Sequence, residues 1–312
     1  MTSNRPASVR TTDGWLLRGE VSAEGSMEKP VALLLHAMMA NRKSMDRPRG
    51  AGLASVLAGR DFGVVSFDLR GHGESGPSAR DGARYSYDDY VLRDIPALVE
   101  FVRQEFAGRP VVVVGHSLGA HASLAASGVF PEKAPDGIVS IAGNMWVPSC
   151  EPDKARRAAK TAMLAAFLGM AETWGYFDPR PLRFGTDAVA LPYVRQFWTM
   201  WSSNRYGSTD GSIDYREALG RVTIPVFSVA SEADTLLAHP VSVELFLRPI
   251  PEKQKTLRVI SGRDFGAPAP DHMGLVTDAR SRPVWNEIAD WIESEPGFER
   301  SLRARETRAT RG

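Results

Sequence analysis

The sequence predicts a doubly wound, mostly parallel α/β sheet with an N-terminal β-hairpin and a helical insertion after its middle. Three observations predict it. Short continuous apolar runs, such as Val31–Leu35 and Val111–Val114, are the pattern of strands covered on both faces. Between them lie stretches with helical apolar spacing, such as Val91, Ile95, Leu98, Val99 and Val102. The alternation breaks between about Asn144 and Leu219 and then resumes.

The elements follow in order. Asp13-Gly14 separates two short alternating stretches, Ser8–Thr12 and Trp15–Val21, which reads as a hairpin. Val31–Leu35 is a buried strand and Ser44–Gly59 a helix carrying Met45, Leu53 and Leu57 on its apolar positions. Val64–Phe67 is the next strand and Tyr87–Phe106 the next helix. Pro110 precedes the four-valine strand Val111–Val114, the helix Leu118–Val129 and the strand Ile138–Ile141. Inside the insertion only Lys154–Met170 is clearly helical, with Arg156, Arg157 and Lys160 expected on its wet face. Val226–Val229, the helix Val241–Phe246 and Thr256–Ile260 resume the alternation, and Val284–Ile292 closes it. The expected division is a core of residues 1–143 and 220–297 and a helical cap of residues 144–219. Residues 298–312, with five Arg and two Glu, are expected to form a disordered basic tail.

Composition narrows the function classes. The chain has 312 residues, 43% hydrophobic and 24% charged, which excludes a disordered, collagen-like or coiled-coil protein. A net charge of +1 offers no global field for nucleic acid. The single cysteine, Cys150, excludes an internal disulfide and a multi-cysteine zinc site. No apolar run reaches the roughly 20 residues of a membrane helix, and the first 30 residues lack a signal-peptide apolar region. The expectation is a cytoplasmic protein with no integral membrane segment.

Three strand ends carry chemistry. Gly115-His116-Ser117-Leu118-Gly119 is a G-x-S-x-G motif between a strand and a helix, the context of a nucleophile elbow. Such a turn exposes the Ser117 hydroxyl at the C-terminal edge of the sheet and leaves the Leu118 N–H free at a helix start. A serine needs a base, and His272, in a loop beyond the last strand, fits best. The base needs a carboxylate: Asp234, after Val226–Ala230, is the first choice and Glu232 the competitor. The loop His36-Ala37-Met38-Met39 would supply the second oxyanion donor, Met38 before Ala37. The chain order Ser117, Asp234, His272 differs from that of the two large serine-protease folds.

These residues, with Asp68-Leu69-Arg70-Gly71-His72-Gly73-Glu74-Ser75, resemble the α/β-hydrolase superfamily over nearly the whole chain. Within it the chain looks most like bacterial hydrolases of the serine-aminopeptidase or monoglyceride-lipase type. The resemblance implies an α/β-hydrolase fold and a structural role for the segment from Asp68 to Ser75. The chain departs from the family at His36-Ala37, where His-Gly is usual.

Other signals point nowhere. Gly71–Gly76 matches G-x-G-x-x-G, but Pro77, Asp81 and Gly82 continue a loop where a helix is required. Neither a phosphate-loop nor a zincin motif occurs. The insertion holds Trp146, Trp174, Trp198 and Trp201, four of the seven tryptophans, which with Met39 and His116 are the candidate substrate pocket. The expected function is a serine hydrolase, independent of cofactor and metal, that cleaves a small carboxylic ester with an apolar acyl or aryl group. The alternatives are an aminopeptidase, a thioesterase or an acyltransferase using the same triad, and a ligand-binding protein on this scaffold. An aminopeptidase would need a carboxylate in the cap, for which Glu172, Asp178 and Asp187 are available.

Overall fold

The computed structural model describes residues 4–296 and Phe298. Eight strands form one sheet: β1 (Arg5–Arg10), β2 (Leu16–Ala23), β3 (Val31–Leu35), β4 (Gly63–Phe67), β5 (Val111–His116), β6 (Gly137–Ile141), β7 (Val226–Ser231) and β8 (Lys255–Ile260). Their spatial order is β1-β2-β4-β3-β5-β6-β7-β8. β1 and β2 pair antiparallel, as does β2 with β4; every other pair is parallel. β3 to β7 are buried at every position, as expected of strands covered on both faces, whereas the edge strand β8 is mostly half-buried.

Helices α1 (Leu53–Ala58), α2 (Ile95–Glu105) and α3 (Leu118–Val129) connect the first parallel strands. The helix expected over Ser44–Gly59 is shorter. A 3-10 turn spans Arg42–Asp46, and α1 starts only at Leu53. Pro48 intervenes, and the Asp46 carboxylate accepts from the N–H groups of Gly50, Gly52 and Ser55, competing with helical bonds. Tyr87–Glu105 is helical as expected, but Tyr90–Asp94 widens into a π-helical turn. Pro96 has no N–H to offer the preceding turn, which accounts for the widening.

The segment between β6 and β7 contains α4 (Lys154–Trp174), a small ribbon of Tyr176–Phe177 with Val189–Ala190, α5 (Leu191–Ser203) and α6 (Tyr215–Leu219). Asp153 starts α4 by accepting from the Arg156 N–H at 2.8 Å. Lys160 corrects the expected wet face: it is 1% exposed, because its ammonium lies 2.8 Å from the Glu151 carboxylate and 4.9 Å over the Trp146 ring. Helices α7 (Pro240–Leu247), α8 (Gly274–Thr277) and α9 (Arg282–Ser294) complete the chain. Phe298, assigned to the tail by sequence, is buried edge-on to Trp291; residues 299–312 lie outside the described residues. Among the described residues no helix is long and apolar enough to cross a membrane.

Candidate active site

The site is built on four strand ends. β5 ends at His116 and α3 begins at Leu118, so Ser117 alone turns the chain, at φ 51° and ψ −107°. This strained conformation is held by its surroundings. Its N–H donates to Ile141 O (2.9 Å), and the Gly119 N–H donates to His36 O (3.1 Å). Both flanking glycines are needed for close approach: a Cβ on Gly115 would meet Ala120 N at 2.5 Å, and one on Gly119 would meet Leu35 O at 2.5 Å.

β7 delivers the acid and the loop after β8 delivers the histidine. Ser231 Oγ donates to Pro270 O (2.6 Å), tying the two loops together. His272 Nδ1 lies 2.6 Å from Asp234 Oδ2, and Asp234 Oδ1 accepts the Leu237 N–H at 2.9 Å. Burial pushes the Asp234 carboxyl up. The His272 hydrogen bond and charge, with the Ala238 and Leu237 N–H groups, outweigh it and hold it below the usual carboxylate range. Glu232 is exposed, so the carboxylate on His272 is that of Asp234. With Nδ1 engaged, His272 has Nε2 left to act, and it lines the same cavity as Ser117.

The loop after β3 is held by two buried histidines. The Leu69 N–H donates to His36 Nε2 (2.9 Å), so His36 Nδ1–H donates to Ala37 O (2.7 Å). Likewise the Met39 N–H donates to His72 Nε2 (3.3 Å), and His72 Nδ1–H donates to Arg70 O (2.9 Å). Burial, helped by His72, pushes His36 down to about 3, and burial lowers His72 as well, so both rings stay neutral. The segment Asp68–Ser75 thereby positions this loop. Met39, at φ 62°, takes the left-handed conformation, and Ala37 is spared it. The Met39 N–H is engaged by His72, whereas the N–H groups of Ala37, Met38 and Leu118 have no partner among the described residues.

The inserted segment is fastened to this loop. Met39 O accepts from the N–H groups of Thr186 (2.8 Å) and Asp187 (3.1 Å). The Asp187 carboxylate accepts from Asn41 Nδ2 (2.9 Å) and the Gly73 N–H (2.8 Å).

A cavity of about 230 Å³ opens over Ser117 and His272. Of the residues assigned to the pocket from sequence, Met39 and Trp146 line it. His116 lies behind the base, with Nε2 3.0 Å from His272 O. Trp174 is exposed, Trp198 is half-buried outside the lining, and Trp201 packs behind Trp146 and donates to Thr161 Oγ1 (2.9 Å). Sequence reasoning did not assign the lining residues Asn144, Phe184 and Leu237 to the pocket. His121, which the sequence puts one helical turn past Ser117 and so near the pocket, lines it. Among the described residues no carboxylate lines the cavity: Glu172 pairs with Arg195, Asp178 with Arg80 and Arg180, and Asp187 with the loop described above.

A family model described as serine aminopeptidase, S33 matches residues 44–184. The solved esterase Pf2001 from Pyrococcus furiosus superposes over 93% of this chain and 91% of its own, with TM-score 0.61 and 17% identity. The chain has the α/β-hydrolase fold. Curated relatives include mouse (Mus musculus) lipase member M, 27% identical over 40% of this chain and 33% of its own length. Human lysosomal acid lipase/cholesteryl ester hydrolase is 27% identical over 40% and 35%. The chain thus matches about a third of the length of these lipases. The PhaC subunit of the poly(3-hydroxyalkanoate) polymerase of Haloferax mediterranei is 22% identical over 95% of this chain and 65% of its own.

Proposed function

We propose that this protein is a serine hydrolase of the α/β-hydrolase superfamily that cleaves a carboxylic ester carrying an apolar acyl or aryl group. The observation that carries this reading is the cavity lining. Met38, Met39, Trp146, Met163, Phe167 and Phe197 make it mostly apolar, Arg183 is the charged side chain in its lining, and among the described residues no Asp or Glu is present to hold a substrate ammonium. That favours an ester over the N-terminal amide an aminopeptidase cleaves, although the family model bears the peptidase description. The lipase and esterase names of the relatives and structural neighbours point the same way.

In this reading Ser117 Oγ attacks the ester carbonyl and His272 Nε2 takes its proton. Asp234 fixes the His272 tautomer and stabilises the imidazolium. The oxygen that gains negative charge is met by the N–H groups of Leu118 and Met38, each worth about 3 kcal/mol in the transition state. Collapse of the tetrahedral intermediate breaks the C–O bond, and His272 returns the proton to the leaving alcohol. Water, deprotonated by His272, then attacks the Ser117 ester and releases the acid. The inserted segment acts as a cap that excludes bulk water.

The test is a series of p-nitrophenyl esters of increasing acyl length on the wild type and Ser117→Ala, beside an aminoacyl p-nitroanilide. Ester turnover that disappears in the variant, with fluorophosphonate labelling of Ser117, is expected. Turnover of the anilide alone overturns the ester reading in favour of a peptidase. Acyl transfer to an added alcohol in preference to water makes the protein an acyltransferase.

A further inference from the structure

His121 is a polar group in an apolar cavity that the proposed mechanism leaves idle. It follows Ser117 by one helical turn, with its N–H donating to Ser117 O at 3.0 Å, and it lines the cavity over the serine. Its ring packs against Tyr87, with centroids 5.4 Å apart, and its Nδ1 lies 2.9 Å from the Tyr87 hydroxyl. The Tyr87 hydroxyl lies 2.6 Å from that of Tyr206, which lies 3.2 Å from His121 O.

This ring of hydrogen bonds has one consistent direction. A carbonyl only accepts, so Tyr206 spends its proton on His121 O. Tyr206 must then accept from Tyr87, and Tyr87 must accept from His121 Nδ1–H. The proton of the imidazole therefore sits on Nδ1, and Nε2 presents a lone pair with no partner among the described residues. Burial, with His272 nearby, pushes His121 down to about 3, so the ring is neutral at physiological pH. Asn144 lines the same cavity and repeats the sense. Its Nδ2 donates to Leu237 O at 3.3 Å, which leaves Oδ1 buried and unpartnered. An amide turned the other way would set two oxygens against each other.

We infer that His121 is a specificity-determining residue that accepts a hydrogen bond from a hydroxyl group of the substrate, close to the ester being cleaved. The inference rests on the ester-hydrolase reading and narrows its substrate class to hydroxylated esters. A neutral acceptor with no carboxylate beside it selects a neutral donor over an ammonium, and a hydroxyl is the smallest such donor for a cavity of about 230 Å³. Ser117 and His121 line the same cavity, which places the hydroxyl on the same small substrate as the reacting carbonyl. The hydroxyl belongs either to the acyl chain or to the alcohol.

Two matched pairs distinguish these sources: p-nitrophenyl butyrate against its 3-hydroxybutyrate, and ethyl butyrate against 2-hydroxyethyl butyrate. The wild type is expected to favour the hydroxylated member of at least one pair by about tenfold in kcat/KM, the worth of one well-placed hydrogen bond. His121→Leu should bring that ratio to about one. Tyr87→Phe, which frees the imidazole to carry its proton on Nε2, should lower it as well. Because each value is a ratio on one preparation, loss of folded protein cancels. Equal rates within both wild-type pairs, or a preference that survives in His121→Leu, overturns the inference. An unchanged ratio in Tyr87→Phe overturns the assigned tautomer and the inference built on it. No turnover of any plain ester, with Ser117 unreactive to fluorophosphonate, is a different result: it overturns the hydrolase reading itself, and the inference with it.

Discussion

His116 Nε2 lies 3.0 Å from the main-chain oxygen of His272, so the histidine inside the elbow holds the loop that carries the proposed base. The acceptor is a carbonyl, so the His116 proton must sit on Nε2, and Nδ1 is left buried without a partner. Burial, with His272 beside it, pushes His116 down to about 3 and keeps this donor neutral. Replacing His116 with Leu should lower kcat about ten- to hundredfold and change KM less, because the base shifts while the cavity remains. His116→Gln, which retains an N–H donor, should recover part of the loss. Steady-state kinetics on both variants checks this.

Asp187 joins the inserted segment to the loop that carries Met38 and Met39, through Asn41 and Gly73. Asp187→Ala removes both bonds and leaves the main-chain bonds from Thr186 and Asp187 to Met39 O in place. The expected outcome is a kcat reduced about tenfold, at a cost in thermal stability of a few degrees. A variant with a wild-type kcat would show that the oxyanion loop holds its shape without the segment above it.

Stability should fall steeply as the pH drops from 7 to 5. His36, His116 and His121 are pushed down to about 3 in the fold, mainly by burial, whereas in the unfolded chain they titrate near about 6.5. Unfolding near pH 5 therefore takes up protons, and the stability these groups contribute at neutral pH is lost below about 6.5. Asp94, raised by burial to about 6 against the pull of Arg70, works the other way with one proton. His72, lowered in the same direction, adds to the three histidines, and Asp68, raised like Asp94, opposes them; the histidines outnumber the carboxylates, so stability falls with pH. Urea denaturation at a series of pH values measures it.

Lys160 and Glu151 form a pair in which each side chain is 1% exposed, and Ser242 Oγ donates to the same carboxylate at 2.9 Å. Lys160→Met should destabilise the protein by about 2 kcal/mol, because the buried Glu151 carboxylate loses one of its two cations and keeps Arg156 at 2.9 Å. Adding Glu151→Gln should return much of that loss. Thermal melts of the two variants decide it.

The sheet was legible because each of its buried strands is a local apolar run with local turn residues beside it. Ser117, Asp234 and His272 were legible because a motif, a strand end and a chain order coincide. What escaped depends on side-chain partners that a periodic pattern of apolar residues does not register. Lys160 reads as a wet helix position until Glu151 folds beneath it. The expected Ser44–Gly59 helix fails because the Asp46 side chain takes three N–H groups that a helix would use. Trp174 and Trp198 share the composition of a pocket wall, and only packing shows that neither lines the cavity. The helical offset of His121 from Ser117 puts it near the pocket, but its bond to Tyr87 shows only in the fold.

The hydrogen bond between His116 and His272 spans 156 residues of chain. On a growing polypeptide the elbow is complete long before its counterpart exists. If Ser117 is the nucleophile proposed above, its reactivity is gained only when the loop after the edge strand β8 has folded back onto β5. Its recovery during refolding would then report the closing of that loop.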